Sequence, residues 1–188
     1  MNRLGRAFVA VVPPDDVLDA IEARVAPARA VSDRLRWSRR EQWHLTLRFL
    51  GPVPEVDVLV VALRDALASM TRVPGVRLAG AGAFPNARRA SVAWLGVRDG
   101  ADELVCVAAS VEAASVAAGF APDVRPFAPH LTVARVPRPR DIASVLDAIG
   151  HDPIGGPWPV DDVVLISSDT RASGAVYEEI ARVPLPGR

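Results

Sequence analysis

His44-Leu45-Thr46-Leu47 and His130-Leu131-Thr132-Val133 are two copies of one four-residue pattern, and together they hold two of the three histidines in the chain. An imidazole has an ordinary pKa of about 6.5, so of two in one place, one can carry a proton while the other accepts one. Phosphodiester cleavage needs those roles on opposite sides of phosphorus, a base for the attacking oxygen and an acid for the leaving oxygen. A hydroxyl two residues along can hold a nonbridging phosphate oxygen. Both copies carry a threonine there.

The pattern suits a β-strand, where residues i and i+2 share a face: histidine and threonine point one way, and the apolar residue between them points to the core. Both copies lie in short apolar runs, Trp43 to Leu50 and Leu131 to Val136, closed by Gly51-Pro52 and by Pro137. Strict alternation turns Trp43 into the core and puts Arg48 on the His44 face. It turns Arg135, five positions past His130, away from the cleft unless the strand ends or bulges after Thr132. Phe84 and Trp37, near predicted loop ends, are the candidates for stacking on a base. Arg88 and Arg89 read as a solvated loop as readily as an RNA contact.

Elements that alternate along the chain must position these residues. Arg6 to Val12 reads as a strand, and Asp15 or Asp16 can cap a helix with Val17, Leu18, Ile21 and Val25 on one stripe. A second helix is predicted over Pro54 to Met70, strands over Val76 to Ala83 and Ser91 to Val97, and a third helix over Ala101 to Ala118 ending at Gly119. A short helix over Asp141 to Ile149 precedes a terminal strand pair, Val160 to Ser167 and Val176 to Val183. The two motifs are 86 positions apart, one per half, and an internal duplication explains them economically. Two lobes packed about a pseudo-twofold axis would face the motif strands across one cleft.

The chain has 188 residues, enough for a sizeable core, with 22 basic residues balancing 22 acidic ones. That balance argues against the broad basic face of a protein that grips long nucleic acid, so a nucleic-acid partner would be met locally. No apolar run reaches the ~18 residues of a membrane span. Pro13-Pro14-Asp15-Asp16 cuts short a faintly signal-like start, and the expected location is the cytoplasm. The single cysteine, Cys106 between Val105 and Val107, reads as a packed thiol. Neither motif histidine has metal-ligand spacing, and no phosphate-binding or dinucleotide-binding glycine loop is present. The expectation is no metal and no cofactor.

These residues resemble the two-histidine phosphoesterase superfamily, and the flanks are similar to its RNA 2′,3′-cyclic phosphodiesterase branch, historically called 2′-5′ RNA ligases. The resemblance runs along nearly the whole chain: Arg6-Ala7-Phe8-Val9-Ala10, the run from His44 to Gly51, Gly82-Ala83-Phe84-Pro85, the run from Arg125 to Arg135, and a closing Tyr177-Glu178. It implies an α/β (α+β) fold, bilobal and pseudo-twofold duplicated. Antiparallel sheets would line a central cleft, with helices outside, in a single domain over residues 1–188. It implies hydrolysis of an RNA or nucleoside 2′,3′-cyclic phosphate to a 2′-phosphomonoester without metal, with reverse 2′-5′ ligation as a minor activity. His130 would be the base activating water, and His44 the acid for the departing 3′ oxygen. Thr46 and Thr132 would hold the phosphate, and Arg135 is favoured as a further ligand over Arg48. The partners implied are RNA ends or nucleotides bearing a cyclic phosphate, met by a monomer. Two other readings fit the motif: a phosphodiesterase for another small cyclic or 2′-5′-linked nucleotide, and a nucleotide- or RNA-binding module without turnover.

Overall fold

In the computed structural model, which describes residues 3–32, 34–171 and 174–186, strands and helices alternate much as the periodicity predicts. The order is β1 (Leu4–Val11), α1 (Asp15–Val31), β2 (Arg36–Trp37), β3 (Leu45–Val53), α2 (Val56–Leu67), β4 (Val73–Phe84), β5 (Ala90–Asp99), α3 (Ala101–Ala117), β6 (His130–Arg140), α4 (Ala143–Ile149), β7 (Pro153–Val160), β8 (Asp162–Arg171) and β9 (Gly174–Pro184). Residues 1, 2, 187 and 188, the ends of the predicted domain, lie outside the described residues.

Among the described residues the strands form one antiparallel sheet in the order β7-β4-β5-β6-β3-β1-β8-β9, with β2 paired to β6 beyond the end of the β3 contact. The two motif strands, β3 and β6, are its central neighbours. The lobes on either side are not the two halves of the sequence. Residues 73–160 build β4 to β7 on one side, while the chain's two ends supply β1, β3, β8 and β9 on the other. Asp161 alone joins β7 to β8 although they lie near opposite ends of the strand order. The sheet therefore curls into a half-barrel, which brings the end of β7 round to the start of β8.

The helices cover the convex face. α1 packs on α4 and β7, while α2 packs on α3 and β9. Their apolar stripes are fully buried, as at Ile21 and Val25 on α1, Leu59, Leu63 and Leu67 on α2, and Leu104 and Val111 on α3, each leucine contributing about 1.5–3 kcal/mol by burial. α1 starts at Asp15 itself, after Pro14, so Asp15 and Asp16 sit in its first turn and neither caps it. Cys106 is exposed, not packed: on a helix, neighbours in sequence point apart, and Val105 and Cys106 fall between the buried positions Leu104 and Val107. The strand β7, Pro153-Ile154-Gly155-Gly156-Pro157-Trp158-Pro159-Val160, was not predicted; as the sheet edge it leaves one side unpaired, where proline is tolerated. No helix is long and apolar enough to cross a membrane among the described residues. The concave face stays open for the motif residues.

Candidate active site

Leu45 and Leu131 are Cα partners in the antiparallel β3–β6 pair, and both are fully buried on the helix side of the sheet. One step either side of this pair, the register sets His44 across from Thr132 and Thr46 across from His130, all on the concave face. The two histidines then stand as diagonal neighbours, a relationship that separates residues by about 7–8 Å. A threonine occupies each remaining corner, and the space between is the size of a phosphate with its attacking and leaving oxygens.

Both imidazoles are held in the same way. His44 Nδ1 lies 2.8 Å from the Gln42 carbonyl, and His130 Nδ1 lies 2.7 Å from the Ala128 carbonyl, each two residues back. A carbonyl oxygen only accepts, so each Nδ1 carries the hydrogen and each Nε2 is left to take or give a proton. Gln42 in turn donates from Nε2 to the Ala175 carbonyl at 2.8 Å, tying the His44 entrance to β9.

Aromatic rings support the two histidines differently. His44 stacks on Phe8 at 4.5 Å between centroids and meets the edge of Tyr177 at 5.4 Å. His130 meets Phe84 at 4.9 Å and Trp94 at 6.2 Å, both edgewise. Trp94 lies flat over the sheet because Gly82, its partner on β4, has no side chain; a Cβ there would come within 2.3 Å of the indole. Burial against these rings holds His44 down to about 4, and the positive charges of His130 and Arg135 push the same way, against the pull of the Gln42 carbonyl. Free His44 is therefore neutral at pH 7. Burial also raises the Tyr177 phenol, opposed by Arg135 and Arg6, so its hydroxyl stays protonated.

A matched pair of bulges decides which arginine joins the site. On β6, Trp94 of β5 faces Thr132 but Ala93 faces Ala134, so Val133 is an extra residue. Val133 and Ala134 are both buried, and the alternation resumes with Arg135 exposed on the concave side. On β3, Ala10 faces Thr46 but Val9 faces Arg48, so Leu47 is the extra residue and Arg48 turns into the protein. Arg48, only 7% exposed, pairs with Glu112 at 2.7 Å and Asp123 at 3.6 Å and donates to the Ala121 carbonyl. Arg48 is thus no phosphate ligand, contrary to what strict alternation predicted. Arg135 reaches the site through the bulge; β6 does not stop at Pro137 but runs to Arg140.

Trp43 is core, 2% exposed, as alternation predicted. Phe84, 37% exposed, lies at the site. Trp37 does not; it sits under Arg29 and donates from its indole to the Ser32 carbonyl. His151 is an exposed residue between α4 and β7. Phe8, Trp94 and Tyr177 were not singled out from the sequence as site residues, and for Phe8 the available signal was alternation, since Phe8 and Ala10 sit opposite core-facing Val9 and Val11. Among the described residues no three His, Cys, Asp or Glu side chains gather as metal ligands.

Comparison with known proteins identifies the family. A family model described as the 2′-5′ RNA ligase superfamily matches residues 14–172. A protein named RNA 2′,3′-cyclic phosphodiesterase from Aeropyrum pernix is 31% identical over 88% of this chain and 90% of its own length. One of the same name from Thermus thermophilus is 32% identical over 97% and 91%. Among solved structures, a Thermus thermophilus protein superposes with a TM-score of 0.75 at 28% identity, covering 97% of this chain and 98% of that one. E. coli LigT complexed with 3′-AMP superposes with a TM-score of 0.72 at 25% identity, covering 98% and 99%.

Proposed function

This chain belongs to the 2′-5′ RNA ligase superfamily, and from that premise we propose that it is an RNA 2′,3′-cyclic phosphodiesterase working by two-histidine acid–base catalysis. The observation that carries the reading is the diagonal pair of imidazoles, each with Nδ1 tied to the carbonyl two residues back. Several relatives bear the same activity in their names at about 30% identity over most of the chain.

In this scheme His130 Nε2 takes a proton from water as the water oxygen attacks phosphorus. The bond from phosphorus to the 3′ oxygen breaks, and His44 Nε2 gives that oxygen its proton. One water is added; the products are a 2′-phosphomonoester and a free 3′ hydroxyl. The hydroxyls of Thr46 and Thr132 and the guanidinium of Arg135 hold the nonbridging oxygens, whose charge grows in the transition state. No step requires a metal. Because free His44 is neutral at pH 7, its acid role rests on the bound phosphate anion drawing a proton onto it. Run backwards, the same steps join RNA ends through a 2′-5′ bond, a minor activity. The chain acts in this reading as one bilobal domain, monomeric and cytoplasmic.

The test is hydrolysis of nucleoside 2′,3′-cyclic phosphates in the presence of a chelator, with the phosphomonoester identified. The expected product is the 2′ isomer, and His44→Ala and His130→Ala each lose about 10²-fold or more. A 3′-thio cyclic substrate assigns the roles, because a thiolate leaves without protonation: His44→Ala should recover most of its rate on it and His130→Ala should not. Wild-type activity in either alanine variant, or dependence on added metal, overturns the mechanism. RNA binding without turnover in the wild type would instead identify a binding module.

A further inference from the structure

Beyond the phosphate pocket, this net-neutral chain gathers arginines at one end of the sheet. Arg36 on β2 is the Cα partner of Arg135 on β6, so the two share a face of the sheet and Arg36 extends the cation side of the cleft outward. Past Arg135, β6 leaves the regular ladder: its five steps from Arg135 to Arg140 face only two steps of β5, from Val92 to Ala90. The run Val136-Pro137-Arg138-Pro139-Arg140 therefore bows out. Its prolines offer no N–H for a ladder bond and fix their own φ, leaving a stiff stretch with Arg138 exposed and Arg140 half-buried, its Nε donating to the Arg138 carbonyl. The 3-10 turn Ala87–Arg89 packs beside it, tied through the Ile142 N–H to the Ala87 carbonyl at 3.0 Å, and brings exposed Arg88 and Arg89 to the same end of the sheet.

Arg36, Arg88, Arg89, Arg138 and Arg140 take part in none of the carboxylate ion pairs among the described residues; other arginines make those. The carboxylate nearest in sequence, Asp141, is turned to the Ala143 N–H at the start of α4. Arg140, Arg34 and Asp141 also line a hollow of about 410 Å³.

We propose that this arginine-rich end of the sheet, formed by Arg36, Arg88, Arg89, Arg138 and Arg140, binds the phosphate backbone of the single-stranded RNA that precedes a terminal cyclic phosphate. The proposal rests on the reading of the histidine pair as a cyclic phosphodiesterase and gives its substrate a length and a direction. Arg138 and Arg140 on the bowed run, Arg88 and Arg89 on the turn beside it and Arg36 on the other flank of β6 present separate cations, enough to meet more than one phosphate. The strand leaves the pocket past Arg135 and Arg36. Contacts of this kind track backbone charge and carry no base preference.

The test compares a nucleoside 2′,3′-cyclic monophosphate with a short oligoribonucleotide ending in the same cyclic phosphate. Wild-type kcat/KM should be at least about tenfold higher for the oligonucleotide at low salt, with the advantage falling by a log–log slope of about 0.7 for each phosphate contacted. Two double variants, Arg138→Gln with Arg140→Gln and Arg88→Gln with Arg89→Gln, should each raise the oligonucleotide KM severalfold and flatten that slope, while mononucleotide turnover stays at the wild-type level and reports an intact fold. Equal efficiency on both substrates, or equal loss on both in the variants, overturns the proposal and leaves the phosphodiesterase reading intact. A wild-type protein that opens neither substrate, yet binds the oligonucleotide through these arginines by fluorescence anisotropy, overturns the enzyme reading and keeps the surface.

Discussion

Phe49 on β3 and Arg135 on β6 occupy equivalent positions, each five residues past its motif histidine and each turned onto the concave face by one extra residue after the motif threonine. The two motif strands thus place an aromatic ring on one side of the cleft and a cation on the other. Phe49, 58% exposed, lies 6.0 Å from Phe8, which carries His44. The positive charge of Arg135 acts across the cleft on both His44 and Tyr177. An anion bound between the histidines would therefore meet the bulge-positioned Arg135 from the His130 side.

Arg135→Ala is expected to lower kcat/KM by about 10²–10³, the scale of losing one donor to developing charge. Arg135→Lys should recover only part of this, because an ammonium supplies a point charge and not a planar fork. Steady-state kinetics on a cyclic mononucleotide checks both; a lysine variant equal to wild type would show that charge alone is used.

Arg48 carries a structural role that kinetics and stability can separate. Its guanidinium joins β3 to Glu112 on α3 and to Asp123 in the segment leading to His130, and Asp123 itself accepts from Arg125. Arg48→Met leaves two partly buried carboxylates without that cation and should cost about 1–3 kcal/mol, reduced from the fully buried case by the partners' solvent access. Denaturant unfolding measures the loss. Well below the melting temperature, kcat/KM should change less than about tenfold, the cost of one misplaced positioning contact being smaller than that of a lost phosphate ligand.

The histidines and threonines were legible because a period of two is local: four consecutive residues fix which side chains share a face. The arginines were not, because a bulge breaks that period and is set by the neighbouring strand. In β6 the trace it leaves is Val133-Ala134, two apolar residues in succession. In β3 the same step reads Leu47-Arg48 and looks like ordinary alternation. Tyr177 is more than 130 positions from His44 and reaches it only because β8 and β9 return to β1. Nothing within β9 announces that partner. β7 was hidden by prolines and glycines that disfavour strands in general and are harmless at an edge.

Gly82 sets the floor under His130. The Trp94 ring fills the place where a side chain at 82 would sit, with ring atoms 2.3 Å from an ideal Cβ, and the backbone of two paired strands cannot yield to both. Gly82→Ala should therefore push the indole toward Phe84 and His130, costing about 1–3 kcal/mol as overpacking does. It should also lower kcat/KM through His130. The pairing of Gly82→Ala with Trp94→Leu should restore much of the stability but not the support under the histidine, a pattern that thermal unfolding and kinetics together can read.

Proton binding at His44 gives the sharpest prediction. In the free protein its pKa is about 4, depressed chiefly by burial, against about 6.5 in an unfolded chain. Between those values the unfolded state binds more protons, so this group makes stability fall as pH drops from about 6.5 towards 4 and leaves it unaffected above that window. His44→Gln should flatten that part of the stability curve. A bound phosphomonoester anion reverses the balance by favouring the imidazolium. The NMR titration midpoint of His44 should accordingly rise to the ordinary imidazole value of about 6.5 or above in saturating nucleoside 2′-monophosphate, and calorimetry in buffers of different ionisation enthalpy should register proton uptake near neutral pH. A midpoint that stays at about 4 with ligand bound would leave His44 without the proton its role requires, and would assign the acid to another group.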